Sequence, residues 1–264
     1  MQAGVRRSLF LPLMGGLIAV AWLSLWLWEG SPYGRYLDHG QWTQLGLAAS
    51  ICRVLPAGDI VLPALLYVGG WVLMSAAMMV PTTLPLLEIF RRLTRRRADR
   101  AQLLGLVIVG YLAAWCLFGL VAHLLDWALH ELVVSSPWLT FNGWLLGAAV
   151  LALAGVYQFS PLKYRCLDRC RSPKSFVLEH WRGKDERRHA VLLGLHHGAF
   201  CVGCCWALML LMFVVGTGSV GWMLALGVVM AVEKNLPWGR GLSAPLGALL
   251  LAWAALILLD NSLA

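Results

Sequence analysis

Leu9 to Trp28 is a run of twenty residues without one charged side chain. A helix needs roughly 20 apolar residues to cross the hydrocarbon of a bilayer. Runs of the same kind recur at 60–87, 103–125, 139–159, 191–215, 220–236 and 244–259, and only 220–236 carries charge, at Glu233 and Lys234. Inside hydrocarbon the backbone must bond to itself, which a helix achieves within one segment. The expected fold is therefore all-α, a polytopic transmembrane helix bundle of about seven spans. Hydrophobic residues make up 60% of the 264 and charged residues 13%, against roughly 45–50% and 25% for a soluble domain. A soluble globule could not hide that much apolar surface, and a disordered chain would be polar and highly charged. Ala19-Val20-Ala21 looks like a signal-peptide cleavage site. The apolar run continues through it to Trp28, so an uncleaved first span is expected. The organisation expected is residues 1–59 as first helix and outer loop, and 60–264 as a six-helix metal-binding membrane domain.

Charge fixes the expected orientation. With the N-terminus inside, the cytoplasmic segments are 1–8, 88–102, 160–190 and 233–243, and they hold 19 of the 21 Lys and Arg residues. The outer segments hold Arg35 and Arg53. Such asymmetry is the positive-inside pattern and sets the C-terminus outside. A net charge of +8 would suggest nucleic acid in a soluble protein. Here Arg91-Arg92 and Arg95-Arg96-Arg97 are read as topology anchors at anionic lipid, and no nucleic-acid partner is expected. The expected location is the bacterial inner membrane, multi-pass.

The densest reactive cluster is His196-His197-Gly198-Ala199-Phe200-Cys201-Val202-Gly203-Cys204-Cys205-Trp206. With His197 at zero on a helix turning about 100° per residue, Cys201 lies near 40°, Cys204 near −20°, Cys205 near 80° and Met212 near 60°. One imidazole, three thiols and a thioether thus share one stripe. Such soft ligands select Cu(I) or zinc over magnesium or calcium. A single Cys in such a helix would be ordinary packing; three within five residues beside His197 favour a metal. Met74 and Met78, one turn apart on the second span, are the expected additional sulfur ligands.

Cys166 and Cys170 lie one helical turn apart in the main cytoplasmic segment. In a reducing cytosol they remain thiols, and the surrounding Arg and Lys favour thiolate. They form a candidate metal-docking pair. Glu233 is a candidate proton relay, metal ligand or partner of Lys234, because carboxylates within spans are costly and often functional. Asp126, His130 and Glu131 read as a solvated loop after the third span. No catalytic residue set, Walker loop or dinucleotide fingerprint is present.

Ala154-Gly155-Val156-Tyr157-Gln158, Pro161-Leu162-Lys163 and Cys166-Leu167-Asp168-Arg169-Cys170-Arg171-Ser172-Pro173 form one part of a signature. Cys201-Val202-Gly203-Cys204-Cys205-Trp206, Glu233-Lys234, and Met74 with Ala77-Met78-Met79-Val80-Pro81 form the rest. Over about residues 60–240 the chain resembles the bacterial predicted metal-binding integral membrane proteins, a domain family of unknown function. The resemblance implies an inner-membrane metal-binding protein, without naming the metal.

The leading functional expectation is a protein that binds, moves or delivers Cu(I), with zinc second. The expected partners are the lipid bilayer, the metal ion and a metallochaperone or cuproprotein. Two alternatives stand beside it. One is a membrane thiol–disulfide oxidoreductase, disfavoured because the outer side carries only Cys52. The other is a non-catalytic accessory protein for assembling a cuproenzyme or respiratory complex.

Overall fold

A computed structural model describes residues 10–30, 61–181, 185–215 and 219–263. Arg6, Arg7, Arg35, Arg53 and Cys52, with most of the expected outer loop, lie outside the described residues. Within them every regular element is a helix. In chain order these are α1 (Phe10–Glu29), α2 (Val61–Leu93), α3 (Arg100–Ser135), α4 (Pro137–Phe141), α5 (Trp144–Tyr157), α6 (Pro161–Arg171), α7 (Pro173–His180), α8 (Glu186–Leu210), α9 (Met212–Val215), α10 (Val220–Asn235), a 3₁₀ turn (Gly239–Leu242) and α11 (Ser243–Leu263).

The number of spans differs from the expected seven. Among the described residues four helical stretches are long and apolar enough to cross a membrane: Val68–Leu93, Arg100–Val133, Glu186–Val214 and Gly239–Ser262. A fifth arises if α5 and α6, bent by 63°, are taken together. Three physical features account for the difference. The expected fourth span is divided between α4 and α5, and α5 has 14 residues, about 21 Å of helix. The expected sixth span, α10, has 16. The described apolar stretch of α1 is Met14–Trp28, also short.

Two boundaries also shift. Pro81 and Pro85 do not stop α2, which runs on to Leu93. Thr82 Oγ1 donates to the Met79 carbonyl at 2.7 Å and Thr83 Oγ1 to that of Val80 at 2.8 Å. Hydroxyls of this kind help a helix tolerate proline by bonding its local carbonyls. Helix α3 continues to Ser135, so Asp126, His130 and Glu131 stand on a helix rather than in a loop.

The bundle is organised around the α3–α8 contact. A Cβ on Gly198 would sit 2.7 Å from Ala114 Cβ and 2.9 Å from the Tyr111 carbonyl oxygen. A Cβ on Gly194 would strike the Val107 carbonyl, and one on Gly110 the Val191 carbonyl. Small residues four apart let two backbones touch, as in closely packed membrane helices. This seam carries Tyr111 to the level of Cys201. On the other side α5 meets α11 through Gly155 and Gly247. Leu117, Val156, Leu249 and Leu256 are exposed on the outside of the bundle, as apolar solvent would require.

Three of the four basic segments meet at one end. Arg97, in the turn between α2 and α3, pairs with Asp99 at 2.9 Å and with Glu186 at the start of α8. Arg171, at the end of α6, donates to the carbonyls of Glu233 and Pro237 just where α10 ends. Arg240 lies 3.5 Å from Asp168 of α6.

Candidate metal centre

Ser160 starts α6 as its N-cap: its hydroxyl accepts from the backbone N–H of Leu162 at 3.1 Å and of Lys163 at 3.3 Å, and Pro161 fills the first helical position. These are strong helix-start signals. They turn the chain sharply out of α5 and lay α6 across α8. The consequence is a thiol-to-thiol meeting between two helices. Cys170 Sγ lies 3.9 Å from Cys204 Sγ, and Cys204 Sγ lies 3.3 Å from Cys205 Sγ. Cys204 also donates to the Cys201 carbonyl at 3.2 Å. Cys166 packs over Gly203, where an added Cβ would stand 2.6 Å from its sulfur. Metal–sulfur bonds of about 2.3 Å let one ion hold two sulfurs up to about 4.6 Å apart. Both sulfur–sulfur distances fall within that reach.

The three α8 thiols are each 1% exposed, and His197 is buried as well. Cys201 points to different company from Cys204. Lys234 Nζ donates to Cys201 Sγ at 2.9 Å, to Thr82 Oγ1 at 3.4 Å and to Met79 Sδ at 3.7 Å. The Tyr111 hydroxyl lies 3.0 Å from the same sulfur and donates to the Met79 carbonyl at 3.3 Å. An ammonium therefore occupies the inward side of Cys201. His197 packs against Phe176 and Tyr111, with ring centres 5.2 Å and 6.0 Å away. Its Nδ1 has no hydrogen-bond partner among the described residues.

The remaining sequence candidates separate. Met78 is buried facing Gly227 of α10, and Met74 is buried in the core. The methionine brought to the Lys234–Cys201 contact is Met79. Met212 is fully buried on the helical stretch that continues α8 past Leu211. Among the described residues no three His, Cys, Asp or Glu side chains are gathered into a ready ligand cage. The thiols form a chain of pairwise contacts instead.

Glu233 is buried, and its partner is Lys163 of α6, not Lys234. Lys163 Nζ donates to Glu233 Oε1 at 2.7 Å and also to Gln158 Oε1. Ser243 Oγ donates to the same carboxylate oxygen at 2.7 Å. The expectation that basic neighbours hold Cys166 as thiolate also fails. Its thiol is buried on α6, and burial pushes its pKa up. Sequence reasoning missed Tyr111 and the Lys163–Glu233 pair. A lysine within an apolar run was the one available signal for Lys234.

A family model described as a copper chaperone, PpoB2, matches residues 68–257. No curated protein and no solved structure matches the chain.

Proposed function

From the premise that the chain belongs to the copper chaperone family PpoB2, we propose that it is an inner-membrane protein that accepts Cu(I) at cytoplasmic thiols and delivers it through the bundle. Cu(I) is the preferred ion, with zinc second, because the donors are thiols and thioethers. The observation carrying this reading is the 3.9 Å approach of Cys170 on α6 to Cys204 on α8. Cys166 and Cys170 take up the ion, Cys204 receives it by ligand exchange, and Cys205 shares it. His197, Cys201, Met212, Met74 and Met78 are the further candidate ligands. Copper at Cys201 would meet the Lys234 ammonium. Two unit charges 4 Å apart repel by about 4 kcal/mol at an effective dielectric of 20. Cys204 is thus the landing point, and Lys234 bounds it on the inward side. Glu233 serves as the anchor that holds α6 through Lys163; as a proton relay it would first have to leave that lysine.

The clustering of the basic segments at one end supports the orientation with N-terminus in and C-terminus out. Counting α1, the short α5 and α10 as crossings gives the seven-pass scheme. The delivered ion passes to a metallochaperone or cuproprotein.

The test is copper quantification in anaerobically purified full-length protein after copper-replete growth. Cys204→Ser should lose most bound copper while remaining inserted and folded. Cys116→Ser, on α3, should match wild type. Wild-type copper content in the Cys204 variant, or none in the wild type, would leave these cysteines as packing residues.

A further inference from the structure

Helix α7 brings an imidazole to α8 outside the thiol chain. His180 ends α7, and its ring centre lies 5.2 Å from that of His196, with the ring planes 64° apart. His180 Nδ1 lies 3.0 Å from the Phe176 carbonyl oxygen. A carbonyl only accepts, so the neutral ring carries its proton on Nδ1 and its lone pair on Nε2. A backbone carbonyl fixing the far nitrogen is the usual arrangement behind a metal-binding histidine. The ring is also held in place by Phe176, which stacks on it at 4.3 Å and 18°. Phe176 is fully buried and touches His197 edge-on from its other side. His196 is exposed, about one turn and a half inside the cytoplasmic start of its expected span, and His180 is half-buried, so the bundle closes off neither ring.

We propose that His180 and His196 form a second, separate copper site, a two-imidazole port for Cu(I) on the α7–α8 face. Metal–nitrogen bonds of about 2 Å let one ion join two nitrogens about 4 Å apart. With ring centres 5.2 Å apart, bridging requires the exposed His196 ring to turn toward Nε2 of the fixed His180. Cu(I) accepts two nitrogen ligands in a near-linear arrangement. Zinc prefers four ligands, and no carboxylate or thiol is gathered with this pair among the described residues. The inference rests on the copper reading for the identity of the ion, not for the existence of the site.

The test uses full-length protein in detergent and anaerobic titration of Cu(I) against a colorimetric chelator. Four variants are compared with wild type: His180→Asn/His196→Asn, the triple Cys201→Ser/Cys204→Ser/Cys205→Ser, Cys204→Ser alone, and His189→Asn. His189 is a half-buried histidine whose Nδ1 likewise faces a carbonyl, that of Asp185 at 3.2 Å; it controls for generic imidazole binding. The histidine double variant should bind one equivalent fewer than wild type, and His189→Asn the same number. The triple cysteine variant should keep an ion with nitrogen neighbours by X-ray absorption, and that nitrogen signal should be lost when His180→Asn/His196→Asn is added. Should that triple variant not fold, the nitrogen signal of wild type must still fall in the histidine double variant and not in His189→Asn. Equal stoichiometry in wild type and the histidine double variant, or loss of the same equivalent in His189→Asn, overturns the proposal. Full copper retention in Cys204→Ser overturns the thiol reading alone and leaves the histidine pair standing.

Discussion

Among the described residues two lysines, Lys163 and Lys234, are buried, and they are compensated in opposite ways. Lys163 is 0% exposed and faces a carboxylate, with Gln158 and Ser243 completing the polar set. Lys234 is 6% exposed and faces a thiol, a thioether and one hydroxyl. Their partners also tell them apart. Glu233 and Lys234 are neighbours in sequence, yet successive helical residues point about 100° apart. The first therefore turns to α6 and the second to α2 and α8. A lysine held by a carboxylate is a closed pair that fixes two helices. A lysine held by sulfur guards ligands that a soft cation also wants.

The largest effect expected from this comparison is on stability. Glu233→Gln strands the Lys163 ammonium without its counter-charge. Breaking a buried pair from one side costs about 3–5 kcal/mol, so thermal unfolding in detergent should drop sharply. A Lys163→Met/Glu233→Met double variant should recover much of that loss, because a buried pair replaced by apolar groups is often neutral. If the double variant is as unstable as the single one, the pair is not closed in the sense argued.

Lys234→Met should act on the metal and much less on the fold. Removing the charge beside Cys201 should raise Cu(I) affinity by roughly tenfold or more, measured by chelator competition. Weaker binding would make Lys234 a positive contributor to the site and erase the contrast with Lys163.

Gly194→Ala probes the seam beneath both lysines. Its new methyl would collide with the Val107 carbonyl, and forcing such a contact costs about 1–3 kcal/mol. A melting temperature equal to wild type would show that α3 and α8 separate readily.

The smallest effect belongs to the exposed Arg97–Asp99 pair. The Arg97 guanidinium holds the Asp99 carboxyl below its usual range. A depressed carboxylate adds stability above its unfolded pKa and loses it as pH falls through the folded one. Asp99→Asn should thus flatten the acid side of the stability profile slightly, below pH 4, and leave pH 7 nearly unchanged. A large change at neutral pH would assign this surface pair the weight argued for Lys163.

The helical class and the position of the thiols were legible in the sequence because both follow from spacing. Apolar runs specify helices, and the 3.6-residue repeat places Cys201, Cys204 and Cys205 on the buried side of α8. What spacing cannot supply is the partner helix. Cys170 meets Cys204 because α6 is bent 63° from α5, and that angle is set by tertiary contacts with α8 and α10. Apolar length alone does not give the number of crossings, because the turns at Asn142 and Gln158 shorten α5.

Gly203 gives the thiol chain its dimensions. It sits between Val202 and Cys204, and the sulfur of Cys166 rests where its side chain would be. A methyl there would lift α6 off α8 by its own thickness, and Cys170 would rise with Cys166. A sulfur gap of 3.9 Å has little slack before one ion can no longer touch both sides. On the proposed route, the step by which copper changes helices would thus be gauged by a hydrogen atom, with a tolerance smaller than one carbon.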